Sequence, residues 1–375
     1  MSRTISPPPL KRRKLADCAP ASVVTPSTPL APDGTHLRVY SWNVNGISSF
    51  LQPSITSFFG PKPSTSPEAE RSVQCSLRDV LRKYDWPTVL QLQEVKISPD
   101  DQASQRAVHS AVARRAGEDA DQPSYRAFFC LPKDKYNARG FGRKVYGVCS
   151  IIREDFVAEF GVQLREVEWD LEGRFLVCET QVRAGVPKLA IFNCYLVNGT
   201  DAPYKDSETG VVTGTRHDRK LRVHELLQAE CRKLEADNVA VILAGDMNVA
   251  RSRLDGHPNL RTHPLQHCTN RADFETRFLQ NSGRDDHDSL RMIDSFRHFH
   301  PLQAGYTYYP RHTEFGRSCD RVDLIMLSRT LGPHLTSAGI MATPADRGPS
   351  DHVPLYAELH FPSSSREDET AAVNT

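Results

Sequence analysis

The chain lacks any apolar run approaching the 18 or more residues that a membrane-crossing helix needs, so no such span is expected. It also lacks an excess of charge of either sign. Lys and Arg number 47 against 46 Asp and Glu, a net charge of +1 over 375 residues. Bulk attraction to nucleic acid is therefore absent, and any such surface must be a local patch. The nine cysteines, at 18, 75, 130, 149, 178, 194, 231, 268 and 319, form no C-x-x-C pair and no close Cys/His cluster, which argues against a structural zinc site. Their odd number, without a secretory signal, points to a reducing compartment. Several (Cys130, Cys149, Cys178, Cys194) fall inside apolar runs, where a free thiol behaves as a small core residue.

The first 35 residues have almost no apolar periodicity. They are rich in Pro, Ser and Thr and read as a disordered tail. Within it, Lys11-Arg12-Arg13-Lys14 is a basic cluster of the nuclear-import type, or else a solvated basic end. A nuclear location is expected, with mitochondrial and cytoplasmic locations open. The three prolines before the cluster disfavour the amphipathic helix of a mitochondrial presequence. Residues 362–375 read as a second tail, and 36–361 as one domain.

The domain holds one device used repeatedly. The run Val239–Ala244 reads as a buried strand stopping at a glycine, and a carboxylate and a carboxamide, Asp246 and Asn248, stand just past it. Leu37–Trp42 is a similar run followed by Asn43 and Asn45, and Thr88–Leu92 is followed by Glu94. Asp323 lies in the run Arg321–Leu327, and Asp351-His352 precedes Val353–Leu359. Ligands in open α/β sheets gather at the carboxyl ends of strands. Each site taken singly could be an Asx turn. Five of them delivering Asn, Glu, Asp and His read together as one polar, metal-capable cluster.

Between these sites the spacing of Leu77, Val80, Leu81 and Tyr84 predicts a short helix, and Asp101–Ala116 another. Val223, Leu226, Leu227, Cys231 and Leu234 predict a helix from about His217 to Ala236 that covers a sheet from outside. Further strands are expected over Tyr125–Cys130, Val145–Ile152, Arg174–Thr180 and Lys188–Leu196, and an exposed hairpin or loop around Asp206–Gly210. The stretch Arg251–Thr269 has no clear periodicity and reads as a long functional loop. The order of elements predicts two packed sheets with helices outside.

Laid out in order, Ser41-Trp42-Asn43-Val44-Asn45-Gly46, Leu92-Gln93-Glu94-Val95-Lys96, Gly173-Arg174, Tyr195-Leu196-Val197-Asn198, Gly245-Asp246-Met247-Asn248, Asp294-Ser295-Phe296-Arg297-His298, Tyr306-Thr307-Tyr308-Tyr309, Arg321-Val322-Asp323 and Ser350-Asp351-His352 resemble the exonuclease III-type abasic-site (AP) endonucleases of the endonuclease/exonuclease/phosphatase superfamily. The resemblance implies an α/β fold, a four-layer αββα sandwich of two packed mixed sheets flanked by helices. It implies a metal-dependent phosphodiesterase acting on damaged double-stranded DNA as a monomer, with abasic endonuclease and 3′-end processing activity. Mg²⁺ is the expected ion, with Mn²⁺ as a substitute, on Glu94, Asn45 and Asp351. Asp246 would orient or deprotonate water with Asn248 beside it. His352, paired with Asp323, would contact the phosphate together with Tyr195, Asn43 and Asn198. Arg174 is expected to be structural or DNA-facing, and Tyr308 a wall of the pocket for the base-free sugar. The alternatives are a relative acting on RNA 3′ ends or on a phosphorylated small molecule, and a weakly active nucleic-acid-binding scaffold.

The chain departs from this pattern in two places. Val197 replaces the proline common between the Tyr and Asn of the tyrosine motif, and an insertion from Gly199 to Arg216 comes next, leading to the basic segment Arg216–Lys220. That segment could line a DNA groove or be a charged helix start. Ahead of Arg321, animal members carry a pocket tryptophan where Cys319-Asp320 stands here, which makes the pocket more polar.

Overall fold

The structure is a computed structural model that describes residues 34–51, 76–138, 146–183, 185–279 and 289–363. Residues 1–33 and 364–375 of the two expected tails, and the Pro53–Glu70 loop, lie outside the described residues, while Thr35, expected in the first tail, begins β1. In chain order the strands are β1 (Thr35–Asn43), β2 (Val89–Gln93), β3 (Tyr125–Cys130), β4 (Val148–Arg153), β5 (Gln163–Glu166), β6 (Phe175–Glu179), β7 (Leu189–Tyr195), β8 (Pro203–Lys205), β9 (Val212–Thr215), β10 (Ala240–Asp246), β11 (Gly256–His257), β12 (Ile293–Asp294), β13 (Cys319–Asp320), β14 (Asp323–Leu327), β15 (Leu335–Ile340) and β16 (Leu355–Phe361). The helices are α1 (Leu77–Lys83), α2 (Gln102–Val112), α3 (Glu154–Glu159), α4 (Arg216–Ala236), α5 (Gln266–Phe274), α6 (Ser295–Phe299) and α7 (Pro344–Arg347).

Two six-stranded mixed sheets, in the orders β15-β16-β1-β2-β4-β3 and β12-β14-β10-β7-β6-β5, form the body. Side chains alternate across a strand, so each strand serves two interfaces. Leu37 and Val39 of β1 meet Leu189, Ile191, Ile242 and Ala244 between the sheets. Tyr40 and Trp42, on the other face of β1, pack under α1 and α2 with Leu77, Val80, Val108 and Val112. On the far side Phe192, Val241 and Leu243 pack under Val223, Leu227 and Cys231 of α4. Three apolar interfaces between helix, sheet, sheet and helix are the four layers that the order of elements predicted.

Helix α4 starts where the expected helix starts, because Thr215 and Asp218 form a reciprocal capping box. The basic segment Arg216–Lys220 is thus a helix start. Arg216 binds Glu172 at 2.7 Å, while His217 and Lys220 turn inward and are buried.

The structure departs from the sequence reading at two places. The strand expected to stop before Gly245 runs through it to Asp246. Gly245 has φ +155°, and a Cβ there would lie 1.8 Å from the Cys194 carbonyl oxygen of β7, so only glycine permits the close pairing that carries Asp246. The expected loop Arg251–Thr269 contains a 3₁₀ turn at Arg253–Asp255, the short strand β11 and the start of α5. Helix α5 buries only Asn270 and Phe274, which leaves little periodicity to read. The insertion agrees with the expectation of a hairpin around Asp206–Gly210: it forms β8–β9, pinned by reciprocal bonds of the Asn137 side chain to the Lys205 backbone, 2.6 and 2.9 Å.

Candidate active site

The inward-facing phase of the central strands is apolar at one end and polar at the other. Along β1 it reads Leu37, Val39, Ser41, Asn43; along β2, Val89, Gln91, Gln93; along β7, Leu189, Ile191, Asn193, Tyr195; and along β10, Ala240, Ile242, Ala244, Asp246. All four strands are parallel in pairs, so these polar ends converge. Asp246 stands opposite Asp323 at the start of antiparallel β14.

A hydrogen-bonded polar layer separates the cluster from the core. Gln93 Nε2 donates to Asn193 Oδ1 at 2.8 Å and to Ser41 Oγ at 3.1 Å, and Asn193 Nδ2 donates to the Cys149 carbonyl at 3.0 Å. Buried amides are costly unless bonded, so this layer locks the two sheets in register beneath the site. Ser41 and Gln93 stand in the sequence motifs without a role, and Asn193 is in none of them. Their signal was a polar residue on the inward phase of an otherwise apolar strand.

Asp246 is buried, and each of its oxygens is held. Asn43 Nδ2 donates to Oδ2 at 3.0 Å and the Asn248 backbone N–H to Oδ1 at 2.8 Å. Burial raises its carboxyl above the ordinary range and the charge of Asp323 raises it further, against the lowering effect of His352 and Asn43. The Asn248 side chain is turned to the Leu196 carbonyl at 2.9 Å.

His352 Nδ1 lies 2.7 Å from Asp323 Oδ2. Burial alone would lower this histidine, but Asp323, then Asp246 and Asp351, outweigh it and push the ring up to about 10. The imidazole is therefore a cation at neutral pH, with Nδ1 donating to Asp323. Asp323 is placed by Thr307, whose Oγ1 accepts from the backbone N–H groups of Val322 and Asp323, both at 3.1 Å. Trp42 Nε1 donates to the His352 carbonyl at 3.0 Å, tying the histidine to β1.

A third group lies around Glu94. Lys96 Nζ stands 3.1 Å from Glu94 Oε1 and also bonds Asn45 Oδ1, while Asn45 Nδ2 donates to Asp351 Oδ1 at 2.9 Å. Asn45, Glu94, Lys96 and Asn248 all have φ between 50° and 57°, half of the eight non-glycine residues with positive φ among the described residues. Such conformations cost energy and concentrate where a site fixes its geometry.

These groups share a cleft of about 600 Å³. Ten of the twelve candidate residues line it: Asn43, Glu94, Arg174, Tyr195, Asn198, Asp246, Asn248, Tyr308, Asp351 and His352. Asn45 and Asp323 stand behind it, bonded to Asp351 and His352. Arg174 is buried and committed. It donates to Glu172 at 3.0 Å and to the Tyr195 carbonyl at 3.1 Å, with its guanidinium 5.0 Å from the Tyr195 ring. That geometry supports Tyr195 from below. Burial, then Glu94, keeps the Tyr195 phenol protonated, hence a donor. Asn198 is exposed at the rim, and the Tyr308 ring lies 5.0 Å from that of His352. Asp320 also lines the cleft, whereas Cys319 packs behind it against Tyr309 and Val353.

Two places offer ligands for a cation. Atoms of Asp246, Asp323 and His352 lie within 4.8 Å of one another, close enough to hold a metal ion. That closeness includes the His352–Asp323 hydrogen bond, and a charged imidazole is not a metal ligand. The set Glu94, Asn45 and Asp351 offers oxygen ligands; Glu94 and Asn45 already meet the Lys96 ammonium, and Asp351 is bonded to Asn45.

A cleft at the polar ends of two packed mixed sheets, holding a buried carboxylate and a cationic histidine, defines a hydrolase-type site on an α/β sandwich. Residues 40–352 match the Endonuclease/Exonuclease/phosphatase family, and the chain belongs to it. Among curated proteins it is similar to DNA-(apurinic or apyrimidinic site) endonuclease 2 of Mus musculus, 27% identical over 351 residues, which covers 86% of this chain and 60% of that protein. The Homo sapiens protein of the same name is 26% identical, with 87% and 61% covered. The chain thus spans about 60% of the length of these relatives. Among solved structures, the fold resembles the APE2 catalytic domain of Xenopus laevis, with TM-score 0.59, 20% identity and 88% and 94% of the two chains covered. It also resembles the AP endonuclease LMAP of Leishmania major, with TM-score 0.59, 19% identity and 87% and 88% covered.

Proposed function

We propose that the chain is a Mg²⁺-dependent DNA phosphodiester hydrolase of base excision repair, cutting 5′ to abasic sites and processing 3′ ends. Residues 36–361 act as the catalytic domain, as a monomer on damaged duplex DNA. The observation that carries this reading is the pairing of a buried carboxylate, Asp246, with a cationic phosphate donor, His352, across one cleft. The names of the curated relatives favour abasic DNA as the substrate.

In this reading Asp246, with both oxygens oriented by Asn43 and Asn248, holds water and takes its proton. His352, Tyr195 and Asn198 donate to the non-bridging oxygens of the phosphate, where charge accumulates in the transition state. Asp323 keeps the imidazole charged and aimed. Tyr308 and Val322 wall the space for the sugar. Glu94, with Asp351 and Asn45, would hold Mg²⁺, for which Mn²⁺ substitutes. The oxygens of this set suit that hard ion, and two of its three residues, Glu94 and Asn45, already meet one positive charge, the Lys96 ammonium. The chemistry supplied from there is Lewis-acid stabilisation of charge on the departing 3′ oxygen.

The test is a panel with Mg²⁺: abasic duplex, nicked duplex, poly(A) RNA and inositol phosphates. Fastest turnover of RNA or of an inositol phosphate would replace the DNA reading. Glu94→Gln should weaken Mg²⁺ and Mn²⁺ binding by about 100-fold, at the upper end of what even outer-shell changes cost, and leave the thermal midpoint unchanged. Calorimetric titration of each metal reads this directly, and unaltered affinity would place the ion elsewhere. The Lys11–Lys14 cluster should carry the protein to the nucleus. Residues 1–35 fused to a fluorescent reporter test that, and a cytosolic or mitochondrial reporter would overturn it.

A further inference from the structure

The insertion after the tyrosine motif has no use in the chemistry above, yet it walls the cleft through Thr200, Ala202 and Pro203. Its base is bonded directly to the start of α4. The Arg216 N–H donates to the Ala202 carbonyl at 2.9 Å, and the His217 N–H to that of Thr200 at 3.2 Å. Tyr204 of β8 carries two guanidinium groups against its ring, those of Arg216 and Arg219, at 5.5 and 5.2 Å from the centroid. The ring quadrupole attracts both cations and holds them together.

Beside these arginines lie two buried acids, Asp170 and Glu172. Glu172 Oε2 accepts from Arg216 Nη2 at 2.7 Å and from Arg174 Nε at 3.0 Å. Arg174 in turn donates from Nη1 to the carbonyls of Tyr195 and Leu196, at 3.1 and 3.4 Å. One carboxylate oxygen thus joins the seat of the hairpin to the seat of Tyr195. The hairpin side of this network is open. Arg219 Nε stands 3.6 Å from Glu172 Oε1, and Arg219 Nη2 3.6 Å from Asp170 Oδ1, both beyond hydrogen-bonding distance. Glu172 Oε1, Asp170 Oδ1, Arg219 Nε and Arg216 Nη1 are buried side-chain atoms without a hydrogen-bond partner. Buried polar groups are normally bonded, and a cluster that only fastened α4 to the sheet would be most stable fully closed. A gap confined to the arginines under Tyr204 fits a network that closes when the hairpin is loaded.

We propose that Glu172 is a positioning residue that couples the β8–β9 hairpin to Tyr195. A substrate strand seated against Thr200, Ala202 and Pro203 pushes Tyr204 and Arg219 onto the two acids, and the Glu172 carboxylate turns to bond Arg219. Its other oxygen, shared by Arg216 and Arg174, moves with it. Arg174 then carries the Tyr195 backbone, and with it the phenol, toward the phosphate. The hairpin in this way reports occupancy of the cleft to the reacting group. This inference rests on the reading in which Tyr195 donates to the phosphate.

The test is a double-mutant cycle in the full chain, with turnover of abasic duplex measured in Mg²⁺. Glu172→Gln should lower kcat by about 10²-fold with little change in KM, the cost of misplacing a group by roughly an ångström. Tyr204→Leu removes the ring but keeps an apolar side chain, and should lower kcat by about 10-fold, a part of the same loss. Tyr204→Phe keeps the ring and should match the wild type. In a Tyr195→Phe background both losses should vanish, because the group being positioned is gone. Tyr204→Leu alters only the half-buried hairpin residue, so it reads the coupling even if Glu172→Gln does not fold. Losses that multiply unchanged with that of Tyr195→Phe, or an unchanged kcat in Tyr204→Leu, overturn the coupling. Tyr195→Phe as active as the wild type is a separate outcome, which removes the donor reading of Tyr195 and the coupling with it.

Discussion

Asp246→Asn should lower kcat/KM on abasic duplex by about 10²–10⁴-fold, the range that a positioned general base contributes, while leaving a cooperative thermal transition. The substitution is isosteric and removes the one group that both accepts a proton and faces the phosphate site. Asp246 is 2% exposed, and its two oxygens accept from Asn43 Nδ2 and the Asn248 N–H. An asparagine has a single acceptor oxygen, so one of these two donors must lose its partner, at about 1 kcal/mol. Relief of the buried charge next to Asp323 offsets that cost, which is why the thermal midpoint should move little. Rate and melting curve together separate a lost base from a lost fold. A variant within 10-fold of the wild type would mean that the proton goes elsewhere, with Asp323 the nearest carboxylate.

The residues that act at strand ends were legible because the strands themselves were. Leu37–Trp42, Val239–Ala244 and Val353–Leu359 announce themselves by composition, and each has polar residues at the end that meets the cleft. The supporting residues were less legible, since their partners are remote in sequence. Thr307 holds Asp323 from 16 positions away and Gln93 meets Asn193 from 100 away. No local pattern encodes such a pair. Lys96 stood in a motif without a role, because its bonds to Glu94 and Asn45 depend on two left-handed turns meeting. Lys220 belongs to a basic segment that the sequence left open as a DNA-groove lining or a charged helix start. Its burial comes from the path of the Arg251–Thr269 segment, which carries α5 against α4, and that segment had no periodicity to read.

Arg321→Met should cost roughly 3–5 kcal/mol, the usual penalty for removing one partner from a buried ion pair, and lower the thermal midpoint by about 6–12 °C. Arg321 is fully buried. Its Nε donates to Asp255 Oδ1 at 2.6 Å, and Nη1 and Nη2 reach Asp294 at 3.1 and 2.8 Å. Arg297 and Arg251 donate to the same oxygens, Asp255 Oδ1 and Asp294 Oδ2, both at 2.5 Å. Met fills the volume but leaves Asp255 and Asp294 with one cation each, in a site nearly closed to water. Burial tends to raise both carboxyls, yet Arg321 and its neighbours hold them below the ordinary range. For acids lowered in this way the stabilisation is complete above the unfolded value near 4 and disappears as pH falls through the folded ones. The gap between wild type and Arg321→Met should therefore be wide at pH 7 and narrow in acid. The network also joins the Arg253–Asp255 turn and β12 to the residue two before Asp323, and the Arg321 N–H donates to the Asp255 carbonyl at 2.7 Å. Loosening it should let Asp323 drift from His352, so kcat should fall along with stability, and the His352 ring should titrate at lower pH by NMR. A variant that melts like the wild type at pH 7 would show that Arg251 and Arg297 alone neutralise the two acids.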